Sequence, residues 1–319
     1  MKHLDTAKII FLDQNKWIDL LDNKNGRYDT LLKLIKGSLR NKSAKFPISF
    51  NTIVECQKIK NSNRRNSLAI LLAEVSEGWT YSNTHKLFDK EFEKSVLPKL
   101  GIKDKEVTIT AVSLGIPFAV GIDEQDFYKV INVPKEIGPN VYNDLTKYEN
   151  LILQIAGTSN EASLEYMSSI SDLVEKRERL RSISMPYHIS TRKNIYLAQL
   201  TNDRKDTIER ILGRHGFVFN DFLDLGKSEI VKTYESVATL DVNINLSFVN
   251  NNNNNREISP NDLIDIDSLS VAIPYSDVVV CEKYMANIAL QKKLNEKYNT
   301  VITTSLDELT EILVLSDHR

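Results

Sequence analysis

The first apolar run is short and ends on a charge. Ile9, Ile10, Phe11 and Leu12 lead directly into Asp13. Four apolar residues in a row predict a buried strand, and the acid at its end predicts a turn. "NKWIDLL" then places Trp17, Ile18, Leu20 and Leu21 at helical spacing. "YDTLLKLIKGSL" (28–39) repeats that spacing with Leu31, Leu32, Leu34, Ile35 and Leu39. "FPISF" (46–50) predicts a second short strand, with Pro47 near its start. "NTIVECQKI" (51–59) predicts a helix capped by Asn51 or Thr52. Strand–helix–strand–helix order favours a parallel α/β sheet.

From residue 61 to about 240 the pattern is mostly helical, as in "LAILLAEVSEGW" (68–79), "EFEKSVLPKL" (91–100), "EYMSSISDLVEKRERLRSI" (165–183) and "DTIERILGRHG" (206–216). "NINLSFV" (243–249) alternates like a strand, and a loop is the other reading. Six asparagines, 250–255, offer no apolar face and predict a mobile loop. The α/β pattern then returns. "SPNDLIDIDSLSVAI" (259–273) predicts a helix, "DVVVCE" (277–282) a core strand, and "KYMANIALQKKLNEKY" (283–298) an amphipathic helix. "TVITT" (300–304) predicts a strand, and "SLDELTEILVL" (305–315) a helix with a Ser305–Glu308 capping box. The expected organisation is an α/β core over 1–60 and 256–319, with a large, mostly α-helical insertion over 61–255.

Composition narrows the chemistry. The chain has 319 residues, 41% of them apolar, and a formal charge of −2. It can build a core, and any nucleic-acid surface must be a local patch. Two cysteines, Cys56 and Cys281, lack metal-site spacing and are expected to be buried free thiols. The N-terminal apolar run is too short for a signal peptide or a membrane span, so a reducing cytosol is the expected setting. There is no G-x-x-x-x-G-K-[ST], G-x-G-x-x-G or H-E-x-x-H motif.

What remains is a set of acids. In a parallel sheet the carboxyl ends of the strands open onto one crevice. Asp13 lies there directly. Glu55 and Asp265 ride on helices that begin near that edge. Asp265, Leu269 and Ala272 fall at i, i+4 and i+7, so the apolar pair would hold Asp265 at the rim. Asp262 fits the dipole at the helix start, and Asp267 a solvated position. The fourth acid is Asp277 or Glu282, which bracket "VVVC". Glu282 follows the strand at the crevice end, whereas Asp277 precedes it. Each acid also has a plainer reading: Asp13 and Asp277 as turn residues, Glu55 as a solvated helix residue, Asp265 as a helix-start residue. Clustered carboxylates repel without a cation. Hard oxygen ligands suit Mg²⁺ or Mn²⁺, and two such ions roughly 4 Å apart can drive phosphodiester cleavage.

Three motifs together resemble the PIN-like nuclease family. "FLDQNKW" resembles its first motif, giving Asp13; "ISFNTIVECQ" its second, giving Glu55; "NDLIDIDSLSVAIPYSDVVVCEK" its third and fourth, giving Asp265 with Asp277 or Glu282. The "PY-x-D" form found in some PIN-like groups points to Asp277. The interval from Asp265 to Glu282 is close to that between the last two acids of small toxin ribonucleases, which commonly carry Asp at the second place. The resemblance covers 1–60 and 256–319. It implies a three-layer fold with a central parallel sheet, a site for Mg²⁺ or Mn²⁺, and cleavage of RNA in preference to DNA. A toxin or defence role, with an inhibitory protein partner, extends it further.

Substrate contact has its own candidates. Ten Lys or Arg and five acids fall between Leu173 and His215. Arg177, Arg181, Arg192 and Lys193 could meet phosphates, and Tyr187 with His188 could stack on a base. A salt-bridged helix face is the plainer reading, since Glu175 and Glu178 are interleaved. Arg64 and Arg65 in "NSNRRN" form a second basic candidate. Two rival functions remain: a catalytically inactive PIN-like scaffold that binds RNA or protein through the insertion, and a phosphatase-like enzyme with Asp13 as nucleophile. The second is disfavoured because "DQN" lacks a further Asp two residues on.

Overall fold

The computed structural model describes residues 7–157 and 161–317. The chain is 68% helical and carries a small four-stranded parallel sheet, an arrangement compatible with an α/β fold. The strands are β1 (Lys8–Leu12), β2 (Ala44–Lys45), β3 (Trp79–Tyr81), β4 (Val112–Leu114), β5 (Val278–Val280) and β6 (Val301–Thr303). The parallel sheet has the order β2-β1-β5-β6. Ile10 pairs with Val278 and Leu12 with Val280; Val280 in turn pairs with Thr303. The two central strands are the continuous apolar runs, as burial on both faces requires. No described helix is long and apolar enough to cross a membrane.

The chain divides into two compact units. The first holds Met1–Asn83, Ala111–Leu164 and Val271–Arg319; the second holds Thr84–Thr110 and Glu165–Ser270. This differs from boundaries at 60/61 and 255/256. Leu68, Leu72, Leu151 and Ile155 pack into one cluster with Ile10, Leu12, Val278 and Val280. They are core of the sheet unit, not part of an insertion. The antiparallel pair β3–β4 also lies in this stretch, where the pattern reads as mostly helical.

Other expectations shift for local reasons. The second strand is Ala44–Lys45, not 46–50, and only Ile48 bridges onward, to Thr80. Pro47 has no N–H with which to extend the ladder. Helix α1 spans Gln14–Asp22, α2 Asp29–Arg40, α3 Phe50–Gln57 and α4 Ser62–Ser76. Ser49, rather than Asn51 or Thr52, caps α3: its hydroxyl accepts the Thr52 N–H at 3.1 Å. The amphipathic helix expected over 283–298 is two helices, Lys283–Gln291 and Leu294–Tyr298, broken where Lys293 takes a left-handed conformation. The Ser305 hydroxyl caps the last helix, but the Glu308 carboxylate meets Thr303 instead of closing a capping box.

In the second unit "NINLSFV" is neither strand nor loop. It lies inside the helix Ala238–Asn251. Its alternation misleads because this helix is buried on more than one side and its polar residues bond along it; Asn245 donates to the Asp241 carbonyl at 2.8 Å. Asn250 and Asn251, expected in a mobile loop, end the helix and are buried. A core of Phe88, Phe92, Ile208, Phe222, Tyr234 and Leu240 holds this unit together. Both cysteines are free and buried, and burial pushes the Cys56 thiol up to about 11.

Candidate functional site

Asp13 stands where β1 ends. Its N–H donates to the Val280 carbonyl at 3.0 Å, so the chain leaves the sheet against the end of β5. It then serves as N-cap of α1, and its carboxylate accepts the Gln14 N–H at 2.8 Å. The Glu282 N–H also donates to it. The residue is only 9% exposed. Burial pushes its carboxyl up to about 6; the charge of Glu282 adds to the rise, while the two N–H donors and Lys16 oppose it.

Glu282 occupies the equivalent place one strand over. It is the N-cap residue of the helix Lys283–Gln291, in an extended conformation, after β5 and Cys281. Its side chain makes no capping bond and instead accepts from the Asn15 amide. Glu55 comes from α3, which the Ser49 cap starts at a defined residue. Burial pushes the Glu55 carboxyl up to about 7, the charge of Asp13 raises it further, and Glu282 adds a smaller push; Lys58 opposes them. Asp13, Glu55 and Glu282 therefore lie within electrostatic range of one another at the carboxyl ends of β1 and β5.

Asp277 is not brought to this group. Its N–H donates to the Ile9 carbonyl at 2.8 Å and its carboxylate accepts the Ile9 N–H at 2.9 Å. That ties it to the start of β1, while Asp13 stands at the end. The strand between them spans roughly 13 Å at about 3.3 Å per residue. Of the two alternatives for the last acid, Glu282 is the one placed with Asp13, and the reason is strand polarity. Asp265 is partly buried on the helix Pro260–Tyr275, in the stretch counted with the second unit.

Its neighbours on that helix have clear duties. Asp262 is buried, accepts the Ser259 N–H at 2.9 Å and pairs with Arg256, so it acts as the expected helix-start acid. Asp267, expected to be solvated, is partly buried and accepts from the Thr84 hydroxyl.

Most of the basic candidates are occupied within the fold. Arg181 donates to the carbonyls of Asn250, Asn251 and Arg256 and pairs with Glu178, so it clasps the asparagine-rich turn. Arg192 donates to the carbonyls of Met185 and Tyr187. Arg177 donates to the Tyr196 hydroxyl at 2.7 Å and stacks on its ring. Arg65 donates to the carbonyls of Ala156 and Ile59, and Arg64 pairs with Asp22. Lys193 and Tyr187 are exposed.

Asn15, Lys16 and Lys58 are the participants that sequence reasoning missed. Asn15 was legible in principle: it sits two residues past the strand-end acid, on the first turn of α1. Two buried polar atoms beside Asp13 in the chain have no partner, Gln14 Oε1 and Trp17 Nε1. Among the described residues no three carboxylate, imidazole or thiolate groups stand close enough to hold a metal ion as arranged. The donor chemistry nonetheless suits a hard divalent cation. All three acids offer oxygen; burial and the charge of Glu282 hold Asp13 high, and burial and the charges of Asp13 and Glu282 hold Glu55 high, which a cation relieves. Compared with protein-family models, curated proteins and solved structures, the chain matches none.

Proposed function

We propose that this chain is a divalent-metal-dependent nuclease with a PIN-like core, cleaving phosphodiester bonds of RNA in preference to DNA. The reading is carried by one observation: Asp13 and Glu282 stand at the adjoining ends of the paired parallel strands β1 and β5, with Glu55 within range of both charges. Three acids from distant parts of the chain thus share one end of a parallel sheet, where α/β folds place their chemistry. Asp13, Glu55 and Glu282 would hold Mg²⁺ or Mn²⁺, which when bound neutralises their repulsion and activates water for attack on phosphorus. The Gln14 and Glu282 N–H groups fix the orientation of the Asp13 carboxylate. Asn15 fixes that of Glu282.

The preference for RNA, the toxin or defence role and the inhibitory protein partner follow from the resemblance alone, as does the assignment of Asp265 as a further ligand. A reducing cytosol suits two free thiols.

A second reading is a PIN-like scaffold without catalysis. The use of Arg177, Arg181 and Arg192 inside the fold favours it. Purified chain with Mn²⁺ on mixed RNA and single-stranded DNA separates the two. The nuclease reading expects EDTA-sensitive cleavage that Asp13→Asn, Glu55→Gln and Glu282→Gln each reduce about a hundredfold or more. Asp265→Asn tests the fourth ligand. Cleavage that survives EDTA and Asp13→Asn removes the nuclease reading, and no cleavage by wild type favours the scaffold.

A further inference from the structure

An open groove of about 530 Å³ lies on the second unit, bounded by the helices Ile189–Asp203 and Gly226–Ser236 and the short helix Phe219–Leu223; Ala198, Leu223 and Lys227 on its rim are exposed. That volume falls in the range of small-molecule sites, roughly 300–1,000 Å³. Its walls are Leu197, Ala198, Phe219, Leu223, Ile230 and Val231. Two hydroxyls also face it, but both are used elsewhere. Tyr234 donates to Thr201 at 2.8 Å, and Thr201 donates to the Leu197 carbonyl at 2.8 Å. They leave the walls apolar in effect. The polar groups that remain are the amides of Asn194 and Asn202 and the ammonium of Lys227.

The charge pattern selects the occupant. Lys227 is the one formal charge in the lining, and no acid lines the groove. Lys227 sits in the first turn of its helix, where the macrodipole disfavours a cation and favours an anion. That helix has no side-chain cap; Glu229 shares its first turn but is paired with Lys99 and Lys232, and Lys227 is the charge that faces the groove. An incoming carboxylate would meet the ammonium and the helix start together, while aliphatic walls receive a hydrocarbon chain. We propose that the groove binds a medium-chain acyl carboxylate, with its chain against Leu197, Ile230 and Val231 and its head at Lys227. This site is separate in composition from the carboxylate group of the first unit and does not depend on its function.

The full chain titrated calorimetrically with sodium dodecanoate, below its micellar concentration, tests the proposal. One saturable site is expected, with dodecanol bound at least tenfold more weakly. Lys227→Glu, at an exposed position, is expected to weaken dodecanoate binding at least tenfold and leave dodecanol unchanged. Ala198→Trp fills the groove and is expected to abolish both; retained circular dichroism verifies that this variant folds. The proposal is overturned if wild type shows no saturable dodecanoate binding. It is equally overturned if dodecanol and dodecanoate bind alike, or if Lys227→Glu binds dodecanoate as wild type does. A concentration-dependent dimer that Ala198→Trp abolishes would assign the groove to a second copy of the chain and overturn it too.

Discussion

The two units bury acids in opposite ways. In the second unit Glu93 is nearly inaccessible, yet Lys105 reaches it at 2.6 Å and His215 at 2.8 Å, with Arg214 at 3.6 Å. Burial pushes that carboxyl up, but these donors and charges outweigh it and hold it below its usual range. Glu91, also buried, accepts the N–H and hydroxyl of Thr239 at 2.9 and 2.7 Å. In the first unit Asp13 is buried and Glu55 partly buried beside further acids, and both are pushed up. One unit neutralises its buried carboxylates with its own side chains. The other leaves them raised, which costs stability and is the usual mark of a site kept for chemistry. The comparison fails if the two sets of acids respond alike to removal of charge.

The largest stability effect should come from Glu93. Glu93→Gln removes the charge that Lys105, Arg214 and His215 share, and should destabilise the chain by about 2 kcal/mol in denaturant unfolding at pH 7.5. Glu55→Gln should do the reverse and stabilise it, by on the order of 1 kcal/mol, since the isosteric amide carries no charge to repel Asp13 and Glu282. Destabilisation of similar size by both variants would mean that Glu55 is as well satisfied as Glu93, and the contrast would vanish.

The pH dependence has a definite sign. Asp13 rises from 3.8 to about 6 and Glu55 from 4.5 to about 7 on folding. The folded state therefore binds more protons than the unfolded state between about pH 4 and 7. These two groups contribute their full stability below about pH 4 and lose it as pH rises through 6 and 7. From them alone, thermal stability should increase on acidification from pH 8 to 5.5, and Asp13→Asn with Glu55→Gln should flatten that slope. Stabilisation by added Mn²⁺ should run oppositely, larger at pH 8 than at pH 5.5, because protons and the cation compete for the same oxygens. A slope unchanged in the double variant would show that these carboxyls titrate normally.

The sequence made the centre of the sheet legible and hid its surroundings. "KIIFLD" and "DVVVCE" are unbroken apolar runs because both faces of β1 and β5 are covered. Once two such strands are parallel, the acids at their ends must share an edge, and this is how Asp13 and Glu282 meet. The same rule puts Asp277 at the opposite edge, against the "PY-x-D" likeness; a motif likeness carries no strand polarity. Asp277→Asn should weaken the bond to Ile9, cost about 1 kcal/mol and spare any cleavage. Cleavage lost with stability intact would return Asp277 to the site. The helix Ala238–Asn251 was illegible because a two-residue alternation in a helix buried on several sides reads as a strand. The basic stretch 176–214 looked like a phosphate surface because sequence cannot show carbonyl partners. Arg181 and Arg192 spend their donors on turn carbonyls that no charge pattern reveals.

That leaves the smallest effect to measure, at Lys193. Arg177, Arg181 and Arg192 cannot be tested cleanly for nucleic-acid contact, because their removal leaves internal acceptors unmet. Lys193 is exposed on the helix Ile189–Asp203. Lys193→Ala should alter stability by less than about 0.5 kcal/mol, the ordinary range for a surface position. If the second unit touches a phosphate backbone, this variant should weaken RNA binding severalfold and lower the salt slope by about one. If binding and slope stay at wild-type values, the basic stretch serves the second unit as its partners do for Glu93, as internal neutralisation. The difference between the units then sharpens: one spends its cations on its own acids and carbonyls, and the other leaves its acids raised.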